Sequence, residues 1–158
     1  MTAESAKIQN CVRAALAQFA NQPGPLIEIL HAVQNELGCV PAEAVPLIAD
    51  GLNLSRAEVH GVVSFYHHFR DKPVGRLHVQ ICRAEACRSM DGEGVARSAC
   101  EQFRVEFGET RADGAVTLDE VYCLGLCACA PSAMFNGEPV GNVNAETLEF
   151  MARQHKVI

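Results

Sequence analysis

Four of the eight cysteines in this 158-residue chain stand in two short pairs, Cys82-Arg-Ala-Glu-Ala-Cys87 and Cys123-Leu-Gly-Leu-Cys127, with 35 residues between them. Thiolates are soft ligands, and four of them suit a metal centre better than hard-cation chemistry. A [2Fe–2S] rhomb needs four thiolates, two on each iron, and each short pair can serve one iron. Gly125 and its small neighbours would let backbone N–H groups approach the cluster sulfurs, and such hydrogen bonds, with burial, tune the potential.

Other uses of the same residues fit less well. A redox dithiol of the C-x2-C type is absent from the chain. A Rieske centre needs two His ligands, and neither cysteine loop contains one; the plant-type spacing C-x4-C-x2-C is missing too. A structural zinc ion on four cysteines stays open, although its pairs usually have shorter separations. Cys129 lies two residues beyond Cys127 and competes with it as ligand or reserve thiol. Cys11, Cys39 and Cys100 read as small core residues.

The elements around the pairs are expected to place them together. Arg76 to Cys82 alternates apolar and polar residues as a half-buried strand does, and Ala115 to Tyr122 reads as a second strand. Each cysteine pair therefore follows a strand, so two strand ends of one sheet can bring both loops to one edge. Between them, the four-residue stripe Val95, Ala99, Phe103 and Phe107 predicts a helix over 92–107 that Gly108 stops. Met134-Phe135, Asn136-Gly137 and Val140 predict a hairpin with a tight type I′ turn. A last helix is expected from Ala145 to about His155, capped by Asn144, and Pro131 is a candidate cis-proline. The order β-α-β, cysteine loop, hairpin, α is that of a thioredoxin-like fold.

The first half reads as helices. Ile8, Val12, Ala15, Leu16 and Phe19 share one helical face. A second helix starts near Pro25 and stops at Gly38, and a short one covers 42–51, ending at Gly51. Ser55-Arg-Ala-Glu58 has capping-box spacing for a fourth, expected to reach Phe69. Asp71 to Gly75 reads as a linker. The expected organisation is α+β: an N-terminal helical bundle at 1–72, then a thioredoxin-like α/β [2Fe–2S] ferredoxin domain at 73–158.

Composition narrows the function. The formal net charge is −6, which argues against a nucleic-acid platform. No apolar run reaches transmembrane length, and the N-terminal stretch lacks a secretory pattern, so a cytoplasmic protein without direct membrane insertion is expected. In that compartment thiols stay reduced, and cysteines in this number point to metal or redox chemistry rather than disulfides. A free-standing carrier would need only the second domain, so the helical half points to a subunit.

On these motifs the sequence resembles the thioredoxin-like [2Fe–2S] subunits that partner an FMN- and NAD(H)-binding iron–sulfur flavoprotein subunit: the 24 kDa subunit of respiratory complex I and its counterparts in NAD-linked hydrogenases and formate dehydrogenases. The likeness covers nearly the whole chain, including Ser55 to Tyr66, Cys82 and Cys87, and Cys123-Leu-Gly-Leu-Cys-Ala-Cys-Ala-Pro131. The family's C-L-G-x-C, spacer, Pro pattern lands on Cys123 and Cys127, leaving Cys129 outside the ligand set. Within the family, Tyr66-His-His-Phe-Arg70 and the two cysteine loops are most similar to the gamma subunit of soluble NAD-dependent, molybdenum-containing formate dehydrogenase. The resemblance implies one [2Fe–2S] cluster on Cys82, Cys87, Cys123 and Cys127. It implies FMN and NAD on the partner subunit, single-electron exchange with that flavin, and no catalysis by this chain alone. The chain has no Gly-x-Gly-x-x-Gly and no P-loop, in keeping with nucleotide binding elsewhere.

The remaining candidates read blandly. His67 and His68 are expected at a helix C-terminus, where a cation is favoured, with partner contact as the alternative for them and for His60 and Tyr66. Arg83 and Glu85, between the first two cysteines, read as loop residues screening cluster charge.

Overall fold

Four helices carry the first half of the chain in the computed structural model, which describes residues 3–158: α1 (Ala3–Phe19), α2 (Leu26–Leu37), α3 (Ala44–Leu52) and α4 (Arg56–Phe65). They pack as one unit running to Pro73, and a second unit runs from Val74 to Ile158. Among the described residues no helix is long and apolar enough to cross a membrane.

The helical core is built from the predicted stripes. Ile8, Val12 and Ala15 of α1 meet Ile29, Leu30 and Val33 of α2 and Ile48 of α3. Pro25 precedes α2, and Gly38, at φ 81°, ends it. Gly51 does not end α3. It lies inside the helix, where a Cβ would come within 2.5 Å of Leu16 Cδ1, so its lack of a side chain admits α1. Asn53, at φ 54°, takes the left-handed C-terminal position instead.

Ser55 and Glu58 form the expected capping box, but α4 stops at Phe65, short of Phe69. Tyr66 is extended, and the chain then turns so that Phe69 enters the core beside His31, at 5.0 Å between ring centroids. The Gln34 side chain fixes that turn: its Oε1 accepts from the Arg70 N–H at 2.9 Å, and its Nε2 donates to the His68 carbonyl at 2.8 Å. His67 and His68 therefore sit on a turn after the helix, and the expectation that they serve its C-terminal dipole is corrected.

The second unit is a five-stranded mixed sheet in the order β2-β3-β1-β4-β5. Its elements are β1 (Leu77–Cys82), α5 (Glu85–Ser89), α6 (Gly92–Phe103), β2 (Glu109–Thr110), β3 (Val116–Val121), β4 (Ala133–Phe135), β5 (Glu138–Val140) and α7 (Ala145–Gln154). The central strand β1 pairs parallel with β3 and antiparallel with β4. Leu77, Val79 and Ile81 of β1 share a buried core with Val116 and Leu118 of β3, Val95, Ala99 and Phe103 of α6, and Leu148 and Ala152 of α7. The α+β class and the element order hold.

One boundary differs from expectation, and two short elements were not expected. Helix α6 ends at Phe103 because Arg104 is left-handed at φ 54°, so Gly108 is not its stop. Gly108 donates its N–H to Leu118, and Phe107 reaches the core from outside the helix. Strand β2 is two residues long, below any sequence pattern. The segment between Cys82 and Cys87 is not all loop, since α5 forms there. The hairpin turn has Asn136 at φ 48° and Gly137 at φ 89°, as a type I′ turn requires. The Ala130–Pro131 peptide is cis.

Arg111 ties this unit together. Its guanidinium donates to the carbonyls of Phe103 and Val157 and grips Asp113, whose carboxyl it holds at about 2. Helix α7 begins with Asn144 accepting from the Thr147 N–H at 2.9 Å, while Thr147 Oγ1 accepts from the Asn144 N–H. Asn144→Ala is expected to lower stability by about 1 kcal/mol. In urea unfolding the midpoint should fall with the slope unchanged; a changed slope would mean that the cap affects more than the helix end.

Candidate metal centre

Strands β1 and β3 end side by side, and the cysteine loops leave from those ends. Cys82 is the last residue of β1, in register with Val121, the last of β3. The Arg83 N–H donates to the Val121 carbonyl at 2.8 Å, so the pairing continues one residue into the loop. On the other side the Cys82 N–H donates to the Ser132 carbonyl at 3.0 Å. The first loop then winds into α5, which places Cys87 on a helical turn facing back toward the strand end. Cys82 and Cys87 are both 2 % exposed and pack with Ala130, with Ala84, Val121 and Leu124 around them.

The second loop leaves β3 with Cys123 at φ 71° and Gly125 at φ 76°. These two left-handed residues turn the chain sharply enough that Cys123 Sγ and Cys127 Sγ stand 3.7 Å apart. Two sulfurs on one tetrahedral ion, each about 2.3 Å from it, stand about 3.8 Å apart, so this pair already has the separation a single ion needs. A 3₁₀ turn over Cys127–Cys129 follows, and Cys123, Cys127 and Cys129 are exposed.

The two pairs lie within electrostatic reach of each other. Burial alone would push the Cys82 thiol up, but backbone N–H groups of Ala84, Cys123 and Leu124 and the Cys87 thiol hydrogen-bond to its sulfur and together hold it below the ordinary range. The Cys127 thiol is raised, chiefly by the Cys123 sulfur against it, with burial, Cys87 and Cys82 adding to the effect. Among the described residues no group of three or more His, Cys, Asp or Glu side chains is drawn together tightly enough to hold a metal ion. The donor chemistry, two thiols per loop with backbone N–H groups turned to a sulfur, fits a two-iron cluster.

Some features escaped the sequence reading. The N–H groups that bear on the Cys82 sulfur are those of Ala84, Cys123 and Leu124. Ser132 is buried at 1 % exposure with its Oγ 3.4 Å from Cys87 Sγ. No local signal marks it, because it lies 45 residues beyond its partner. Arg83 does not face the cysteines as a free screening charge: its guanidinium is committed to Glu93 and Glu120. Glu85 is exposed at the start of α5. The Cys129 carbonyl accepts from the Asn142 N–H at 2.6 Å. All eight thiols are free.

The chain is similar to several known proteins. A family model described as thioredoxin-like [2Fe-2S] ferredoxin matches residues 12–156. The NADP-reducing hydrogenase subunit HndA of Solidesulfovibrio fructosivorans is 34 % identical over 128 residues, covering 81 % of this chain and 75 % of that protein. A NADH-quinone oxidoreductase subunit of Pseudomonas aeruginosa is 36 % identical over 120 residues, covering 76 % of this chain and 72 % of that one. Among solved structures, an NAD+-reducing [NiFe]-hydrogenase in the air-oxidized state aligns over 89 % of this chain and 24 % of its own, with TM-score 0.74 and 23 % identity; that likeness speaks for the fold alone.

Proposed function

The chain belongs to the thioredoxin-like [2Fe-2S] ferredoxin family, and from that premise we propose that it is an electron-transfer subunit of an NAD(P)-linked hydrogenase or NADH-quinone oxidoreductase assembly. Cys82, Cys87, Cys123 and Cys127 hold the one [2Fe–2S] cluster that the family implies. The FMN and NAD belong to a partner flavoprotein subunit, with which this chain exchanges single electrons. The observation that carries the reading is that both loops leave one sheet edge: Cys82 ends β1 in register with Val121, the last residue of β3, and the loop after β3 sets Cys123 Sγ and Cys127 Sγ 3.7 Å apart.

The cluster, when bound, supplies one-electron exchange at a potential its surroundings set. The protein's part is placement. Burial of Cys82 and Cys87 excludes water from one side of the site, and the N–H groups stabilise thiolate charge there. The exposed Cys123 and Cys127 form the side from which a partner can approach.

The parent enzyme is where sequence resemblance and relatives part. Tyr66-His-His-Phe-Arg70 and the cysteine loops favour a formate dehydrogenase gamma subunit, whereas the relatives named above are a hydrogenase subunit and a NADH-quinone oxidoreductase subunit. The latter two lead, and formate dehydrogenase is the second reading. Purification of the tagged chain with its partners decides it: hydrogen- or quinone-linked NAD(P)(H) turnover supports the first, and formate-dependent NAD+ reduction the second. For the cofactor, protein purified in air is expected to be brown, with two irons per chain and, after dithionite, one S = 1/2 EPR signal. A colourless protein with one zinc would overturn the cluster assignment.

A further inference from the structure

The guanidinium of Arg83 is the hub of an ion-pair network that touches both cysteine loops. Its Nη2 meets the two Glu93 oxygens at 3.0 and 2.8 Å, and its Nη1 donates to Glu120 at 3.2 Å. Its Cζ lies 5.3 Å from the centroid of the Phe107 ring. Glu93, in the first turn of α6, also takes Arg88 Nε at 3.4 Å. Glu120, near the end of β3, accepts the Tyr122 hydroxyl at 2.8 Å. Arg83 follows Cys82, Arg88 follows Cys87, and Tyr122 precedes Cys123. Arg88 and Tyr122, each beside a proposed ligand, are thus tied through two carboxylates to Arg83, which is beside a third.

We propose that Arg83 is a positioning residue that fixes the Cys123 loop relative to the Cys82–Cys87 turn, and so sets how well the four thiols fit the cluster. This rests on the functional reading above. Isolated exposed ion pairs contribute little, because solvent screens them and side-chain entropy opposes them. This pair differs in two ways: the Arg83 side chain is only 20 % exposed, and it contacts both oxygens of Glu93. Charge alone does not single Arg83 out, since Arg88 also pairs with Glu93. What remains is shape, and the planar fork of arginine is what a lysine ammonium lacks.

The test uses the full chain loaded with its cluster, as wild type, Arg83→Lys, Arg83→Met and Tyr122→Phe. Each is challenged with a chelator, reduced for EPR, and titrated for reduction potential. Arg83→Met and Arg83→Lys are both expected to hold the cluster about 10–100-fold less tightly than wild type, the usual effect of removing a residue that orients ligands, and so to lose it faster to the chelator. Both should shift the EPR g-values, with no rescue by lysine. Tyr122→Phe cuts one arm at an exposed hydroxyl, leaves the buried packing intact, and should change loss rate and g-values in the same direction by less. Arg83→Lys matching wild type in loss rate, g-values and potential overturns the positioning role alone. A wild-type chain with no two-iron signal overturns the functional reading and this role with it.

Discussion

Serine in place of Cys82, Cys87, Cys123 or Cys127, one at a time, is expected to abolish or badly destabilise the cluster, while Cys129→Ser keeps it. Changing a residue that only orients a ligand costs about 10–100-fold in metal affinity, and deleting the ligand itself should exceed that. The geometry distinguishes the exposed thiols. Cys127 Sγ stands 3.7 Å from Cys123 Sγ, and Cys87 and Cys82 bear on it electrostatically. Cys129 sits at the end of the 3₁₀ turn with its backbone bonded to Asn142, and a Cβ on Gly141 would come within 2.6 Å of the Cys129 Cβ. Iron content, visible absorption and the reduced EPR signal are the readouts. Loss of the cluster in Cys129→Ser with retention in Cys127→Ser would exchange the two assignments.

Much of this site was legible because its parts follow local rules. Alternation in Leu77 to Cys82 marked β1, and the adjacency of Cys82 and Cys123 to strand ends carried the idea of one sheet edge. The Asn136-Gly137 turn and the Asn144 cap are side-chain chemistry acting within four residues, which a sequence shows directly. What was missed depends on distant partners or on very short elements. Helix α5 is five residues, too short for a hydrophobic period, and packing of its buried Cys87 with Cys82 and Ala130 rather than propensity sustains it. Helix α6 ends at Arg104 in a left-handed conformation that arginine rarely adopts, so the eye passes on to Gly108. Ser132 under Cys87, and Glu93 and Glu120 on Arg83, are meetings between residues 10 to 45 positions apart. The parent enzyme was least legible, because a module held in common by several assemblies need not carry the chemistry that differs between them.

Gly92→Ala should prevent stable cluster loading, although it changes neither a ligand nor a charge. Gly92 begins α6 and is buried, and a Cβ built on it would lie 2.5 Å from the Cys87 carbonyl oxygen and 2.8 Å from its carbon. Those are backbone atoms of a proposed ligand, so no rotamer change can relieve the overlap. Either α6 moves off the sheet core, where Val95 and Ala99 are buried, or the α5 turn moves and carries Cys87 away from Ser132. Overpacking of this kind costs about 1–3 kcal/mol, with the upper end expected where backbone is the obstacle. Gly94→Ala is the control: there a Cβ meets only the Asp91 carboxylate, which can rotate into solvent, and alanine favours the helix by about 1 kcal/mol. The expected contrast is a Gly92→Ala chain with little iron and a lowered melting temperature beside a Gly94→Ala chain that loads normally. Equal iron content and equal EPR signals in the two would mean that the Cys87 turn yields freely, and that close packing of α5 against α6 does not hold the buried pair of thiols in place.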